Sequence, residues 1–353
     1  VQGPKVAGFE QQAANILGAA FAVAVSSGTA ALHVSLLGLG VGRGDIVVTT
    51  AYSWIATTNV IEMCGARPIF VDIDPETFNM APPALGETLR GLTRDPTCAG
   101  RIKAILPVHT FGQMADMEAI MSLAAEYDLP VIEDAACALG AQQNGSSAGV
   151  LGRVGCFSFH PRKAVTTGEG GLCVTDDSAL ARRLRALRNH GQDPEATAPP
   201  EFIVPGLNYR LTDFQAALGA TQLAKLQRIL ESRARQAGRY DDLLGETPVK
   251  IPAVKDGNRH VYQSYVVLLP KVLTARRDET IASLKKKGIE TAIGTIHIPL
   301  SSYYRKRYEH REGDFPVTDD IFARSLALPL HEKLTEQEQQ EVAGGLLGEL
   351  GLA

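Results

Sequence analysis

Residues 155–175, GCFSFHPRKAVTTGEGGLCVT, decide the reading of this chain. Two short apolar runs, 155–159 and 171–175, have the composition of buried strands. Between them lies an irregular loop with Ser158, His160, Arg162, Lys163, Thr166, Thr167 and Glu169, followed by glycines 170 and 171. Lys163 stands about four residues past a buried strand. A lysine partly withdrawn from water has a lowered pKa and can act as an amine nucleophile. The plain alternative is a solvated surface lysine.

Working outward, the same kind of run recurs at 22–26, 46–50, 68–72, 102–108 and 130–133. Helical patterns fall between them at 29–39, 53–64, 82–92, 115–127 and 178–189. Continuous Val- and Ile-rich strands alternating with helices predict an α/β fold with a mostly parallel seven-stranded sheet covered on both faces. Chemistry in such folds sits at the carboxyl ends of the strands. After residue 190 the character shifts. A Pro-rich loop (191–206) precedes a long helical stretch (212–245). Strands at 261–269 and 289–298 follow, with helices at 275–287 and 335–350. The expected division is a large domain over 1–230 and a smaller α+β domain over 231–353.

Two further segments carry chemistry. In SGTAAL (27–32) a strand ends, the chain turns on Gly28 and a helix begins. Free N–H groups and the positive end of the helix dipole then face one point, a natural phosphate site. Taken alone, the motif fits a simple helix cap by Ser27 or Thr29 somewhat better. In VIEDAAC (131–137) two carboxylates, Glu133 and Asp134, follow an apolar strand. A buried carboxylate needs a cation or hydrogen bonds. If Asp134 stays ionised there, it can hold a positive group such as a protonated ring nitrogen. A helix cap or a surface position is the alternative.

Composition limits the remaining choices. Hydrophobic residues make up 45% of the 353, enough for a large core and too many for global disorder. The net charge of −4 has no basic excess for a nucleic-acid partner. The five cysteines include no CxxC pair, so reduced thiols in a cytosolic protein are expected rather than a disulfide or metal scaffold. Residues 11–42 lack charge, but SSGT (26–29) interrupts them, so strand, turn and buried helix are expected instead of a membrane span. GLGVGRG (38–44) follows a helix and precedes a strand, the reverse of a dinucleotide-binding order, and reads as a helix C-cap. The basic run Arg276, Arg277 and Lys285–Lys287 reads as a solvated helix face, with attraction of a diphosphate as the alternative. His190, His297 and His331 are candidate substrate contacts by position alone, or ordinary loop and core histidines.

FSFHPRK followed by TTGEGG, with SGTAAL upstream and EDAA before the lysine, resembles the DegT/DnrJ/EryC1/StrS family of sugar aminotransferases dependent on pyridoxal 5'-phosphate (PLP). GPKVAGFE (3–10), AYSWIATTNVIEMCGARPIFVDIDPETFN (51–79), NYRLTDFQAALGATQL (208–223) and LALPLHEKLTEQE (326–338) match other blocks of that family in order. The resemblance implies a PLP-dependent transferase of the aspartate aminotransferase type (fold type I). It implies Lys163 as the lysine that joins PLP and shuttles the proton, and Asp134 as partner of the pyridinium nitrogen. Trp54 would stack on the ring; a core aromatic is its alternative. Gly28, Thr29 and Ser158 would hold the phosphate. Asn208 would reach the phosphate of a partner subunit, which implies a homodimer with shared sites. Two departures stand out. Cys137 occupies the place where the family has Gln or His on the ring hydroxyl, and Cys is a poor donor. The opening block begins at residue 3, so an N-terminal arm is expected to be absent, trimmed or disordered. The implied activity moves an amino group from an amino acid, L-glutamate foremost, to a keto group of a nucleotide-linked sugar in the cytoplasm. A glutamine-dependent keto-cyclitol aminotransferase of the same family is the alternative. A sugar dehydratase, which has histidine for the lysine, and a non-catalytic homologue fit less well.

Overall fold

The computed structural model describes residues 2–352. Seven strands organise its first half: β1 (Phe21–Val25), β2 (Ile46–Thr50), β3 (Arg67–Val71), β4 (Ile102–Leu106), β5 (Ile132–Asp134), β6 (Val154–Ser158) and β7 (Gly171–Thr175). Regular pairing forms two sheets, β1-β7-β6-β5 and β3-β2-β4. Only β7 runs antiparallel to its neighbours. The expected single sheet of seven is therefore met as two ladders, joined edge to edge by the parallel bridges Ile105–Val131 and Val108–Asp134.

Side chains alternate across a strand, so each strand feeds two cores. Ala22, Ala24, Ile105, Val131, Phe157 and Leu172 pack on one face, against the helices Pro4–Leu17, Met117–Glu126 and Asp213–Leu223. Val23, Val25, Leu106, Ile132, Cys156 and Cys173 pack on the other, against Gly28–Gly38, Ala56–Met63 and Ser178–Arg188. This double cover is why the strands lack polar alternation. The helix Gly28–Gly38 ends as its glycines suggest. Gly40 has φ 77°, and the N–H groups of Gly40 and Val41 turn back to the carbonyls of Leu37 and Leu36. Among the described residues no helix is long and apolar enough to cross a membrane.

The stretch expected as one helix over 212–245 is two, Asp213–Leu223 and Leu226–Leu244. Leu226 and Leu230 of the second join the first core. Ala237, Tyr240 and Leu244 join a separate core with the antiparallel strands Tyr265–Leu268 and Ser325–Leu328. Position 230/231 thus lies within a continuous helix. The strand expected over 289–298 is broken into Ala292–Ile293 and Ile296–His297. The first piece pairs with Ser325–Leu328 and the second with Tyr52–Ser53. Gly294 makes the crossing, since a Cβ there would lie 2.4 Å from the Tyr52 hydroxyl. Likewise 53–64 begins with Ser53 still in that short strand, and its helix starts at Ala56.

Candidate active site

The carboxyl ends of β1, β5 and β6 lie side by side because these strands run in one direction. β1 delivers Ser27 and Gly28, β5 delivers Asp134, and β6 delivers Ser158 and the lysine loop. Close backbone approach makes the turn after β1 possible. A Cβ on Gly28 would stand 2.8 Å from Ser158 Cβ, and one on Gly171 would stand 2.1 Å from the Ser27 carbonyl oxygen. Ser27 caps the helix, its hydroxyl accepting from Ala30 N–H at 3.0 Å. The cap therefore coexists with the glycine cradle: Ser27 caps, while Gly28, exposed Thr29 and Ser158 surround the helix start.

Glu133 and Asp134 are both buried, and strand alternation sends them to opposite faces of β5. Glu133 accepts from His109 Nε2 (2.8 Å) and from the N–H groups of Gly149 (2.7 Å), Leu151 (2.7 Å) and Gly152 (2.5 Å). His109 Nδ1 accepts from Ala115 N–H, so its proton sits on Nε2. Glu133 is thus spent on structure. Among the described residues Asp134 accepts only from Thr57 Oγ1 (2.7 Å) and Ala136 N–H (3.2 Å). Burial pushes its carboxyl above the usual range, against the pull of those bonds and of the Lys163 charge.

Lys163 is half-buried, and its Nζ lies 2.9 Å from Cys137 Sγ. Its ionisation corrects the expectation from sequence. Burial does pull the ammonium down, but Cys137 and Asp134 pull it up, and the balance lies above the ordinary lysine value. Trp54 is 65% exposed, so it is not a core aromatic. It sits one turn before Thr57, whose N–H donates to the Trp54 carbonyl at 3.2 Å. Asn208 is exposed on the segment that runs beside β1, where Tyr209 O accepts from Ser26 N–H. The candidate histidines do not join this group. His297 is buried against Asp319 (2.8 Å), and His190 and His331 are exposed. Cys137 touches the lysine itself. Sequence reasoning missed Thr57 and His109. A threonine three residues after Trp54, in the first turn of a helix, was the available signal for the former.

The profile described as the DegT/DnrJ/EryC1/StrS aminotransferase family matches residues 1–347. The chain belongs to that family. It is 37% identical to the GDP-perosamine synthase of Caulobacter vibrioides, over 96% of this chain and 88% of that protein. A DegT DnrJ EryC1 StrS aminotransferase from Brucella abortus superposes with a TM-score of 0.89 at 34% identity, covering 99% of this chain and 91% of the other. A relative from Streptococcus pneumoniae, solved in its PLP form, gives 0.91 at 25% identity, with 100% and 93% covered. The protein is a PLP-dependent aminotransferase of the DegT/DnrJ/EryC1/StrS family. The residues fit that cofactor: a buried carboxylate short of positive charge, an amine nearby, and a glycine cradle at a helix N-terminus that a Cβ would fill.

Proposed function

We propose that this enzyme transfers an amino group from an amino acid, L-glutamate foremost, to a keto group of a nucleotide-linked sugar. The observation that carries the site assignment is the convergence of Lys163 and Asp134, each bearing on the other's ionisation, beside the cradle of Gly28 and Ser158. The substrate class rests on family membership and on a relative that is a GDP-perosamine synthase.

Lys163 would hold PLP covalently. Asp134 would face the ring nitrogen, Trp54 the ring face, and Cys137 the side of the ring next to the lysine. Gly28, Thr29 and Ser158 would hold the phosphate, with Asn208 of a second subunit completing it in a homodimer; exposure of Asn208 in the single chain fits that role. Bound there, the cofactor supplies an electron sink. The chain supplies the rest. Thr57 keeps one Asp134 oxygen occupied and leaves the carboxylate to meet a cation. A cation beside Asp134 also offsets the anionic pull on Lys163, so the amine releases its proton more readily. Lys163 Nζ can then move a proton at the substrate carbon. The free cysteines fit a cytoplasmic setting.

Lys163→Ala should abolish transamination and leave PLP bound without a covalent link, read as loss of borohydride-fixed cofactor; full turnover in that variant refutes the assignment. A screen of keto-sugar nucleotides and keto-cyclitols against glutamate and glutamine tests the substrate class. Turnover of a keto-cyclitol with glutamine, and of no nucleotide sugar, would replace the reading by the cyclitol alternative.

A further inference from the structure

The segment 260–265 enters the strand Tyr265–Leu268 of the C-terminal core, and on its way it crosses the lysine loop. The sequence pattern predicts a strand from 261, but the strand starts only at Tyr265, because the backbone is turned at Tyr262. Tyr262 lies in the left-handed region, with φ 47°. Aromatic side chains rarely adopt that conformation, and surrounding contacts must maintain it.

Those contacts are specific. The N–H of Tyr262 donates to His260 Nδ1 at 2.8 Å, and the two rings stack with centroids 4.1 Å apart and 4° between planes. Arg233 Nη1, from the helix Leu226–Leu244, donates to the carbonyl oxygens of Tyr262 (2.9 Å) and Gln263 (3.2 Å). Val261 N–H donates to Gly112 O at 3.0 Å. Gly112 has φ 100° and no room for a side chain: a Cβ would meet Val261 Cγ2 at 2.8 Å, Gln263 N at 2.9 Å and Cys137 O at 3.1 Å. The segment is thereby pinned against the chain that carries Cys137. The turn at Tyr262 aims the next side chain at the lysine loop. Gln263 Nε2 donates to Arg162 O at 2.6 Å, on the peptide that joins Arg162 to Lys163.

We propose that Gln263 is a positioning residue that fixes the Arg162–Lys163 peptide, and so the lysine amine, relative to the C-terminal core. The strained turn at Tyr262 is retained because it delivers Gln263 to that carbonyl. The path runs from Arg233 through the backbone of 262–263 to the side chain of Gln263 and then to the lysine loop. A movement of the small sheet would therefore reach the lysine without any contact between that sheet and the cofactor. The proposal rests on the assignment of Lys163 as the cofactor lysine.

Gln263→Met keeps the length of the side chain and removes the donor. Gln263 is half-buried at a loop, so the variant folds. Amide hydrogen exchange over 161–165 in the cofactor-free protein should accelerate about fivefold, the factor that one hydrogen bond of ordinary net strength carries. The Lys163 N–H, bonded to His160 O at 2.9 Å, is the most direct reporter. In the PLP-loaded enzyme kcat should fall by a similar factor while KM for the amino donor holds, because donor binding is untouched and lysine placement is not. Unchanged exchange over 161–165, or a change in KM without one in kcat, overturns the proposal and leaves the lysine assignment standing. Borohydride reduction and peptide mapping test that assignment separately. A tag on a lysine other than Lys163 overturns it, and the proposal with it.

Discussion

Thr57→Val isolates what Asp134 needs. Valine replaces the threonine hydroxyl with a methyl of nearly the same shape, so packing is preserved at a residue only 1% exposed. Two bonds disappear: the 2.7 Å donation to Asp134 Oδ2, and the 3.0 Å contact with the Ser53 hydroxyl. A buried hydrogen bond to a carboxylate contributes about 2 kcal/mol. Asp134 already sits above the usual carboxyl range because of burial. Losing its strongest donor moves it further in that direction, so the carboxylate form is lost at higher pH than in the wild type. A neutral Asp134 cannot pair with a cationic ring nitrogen. PLP affinity should therefore fall by about 30-fold at neutral pH, the factor equivalent to about 2 kcal/mol. The acid limb of the activity profile should move upward. Cofactor absorbance titrated at a series of pH values measures both. Wild-type affinity and an unmoved acid limb would show that Thr57 does not support the carboxylate, and the electrostatic account of the site would fail. Thr57→Ser, which restores the hydroxyl, should recover most of the loss.

Two other perturbations read separate parts of the molecule. Gly28→Ala brings a Cβ to within 2.8 Å of Ser158 Cβ, so Ser158 must shift out of the cradle. Overpacking of that kind costs about 1–3 kcal/mol, and PLP affinity should drop about tenfold, read by titration, while cofactor already seated on Lys163 remains reducible by borohydride. Burial lowers the His260 pKa from 6.5 to about 3, so folded His260 stays neutral where unfolded His260 takes a proton. Its contribution is whole above about 6.5 and is lost as pH falls toward about 3, at about 2 kcal/mol by about pH 5. Urea unfolding followed from about pH 7 to about pH 5 should show that slope in the wild type and not in His260→Gln; equal slopes would remove His260 from the account.

Most of the large sheet was legible because its strands are short, apolar and buried on both faces, so each announces itself without reference to a partner. β2 and β7 fall where the residues place them, and β1 and β6 begin one residue earlier. Long-range contact decided the places where the reading failed. The strand expected over 289–298 breaks because Gly294 must pass the hydroxyl of Tyr52, more than two hundred residues away, and nothing local signals that. The direction of the Lys163 shift was misjudged for a similar reason. Burial alone argued downward, whereas Cys137 and Asp134, which reverse it, reach the lysine only through the adjacency of β5 and β6. Glu133 and Asp134 looked alike as neighbours in sequence. Strand alternation then gave one a four-donor structural knot and left the other open to the site.

That asymmetry bears on how the site works. In an isolated ion pair the acid moves down and the base moves up, each stabilising the other's charge. Here Lys163 moves up, yet Asp134 also moves up. The lysine charge pulls Asp134 down but does not offset its burial, so the carboxyl stays above the usual range. A second cation at Asp134 would answer both conditions. It would hold the carboxylate in its charged form, and by like-charge repulsion it would ease a proton from Lys163. The two residues that sequence alone presents as separate motifs, one on β5 and one beyond β6, thus form a single electrostatic unit. A cationic ring bound there would make the acid an acceptor and help turn the ammonium into a base.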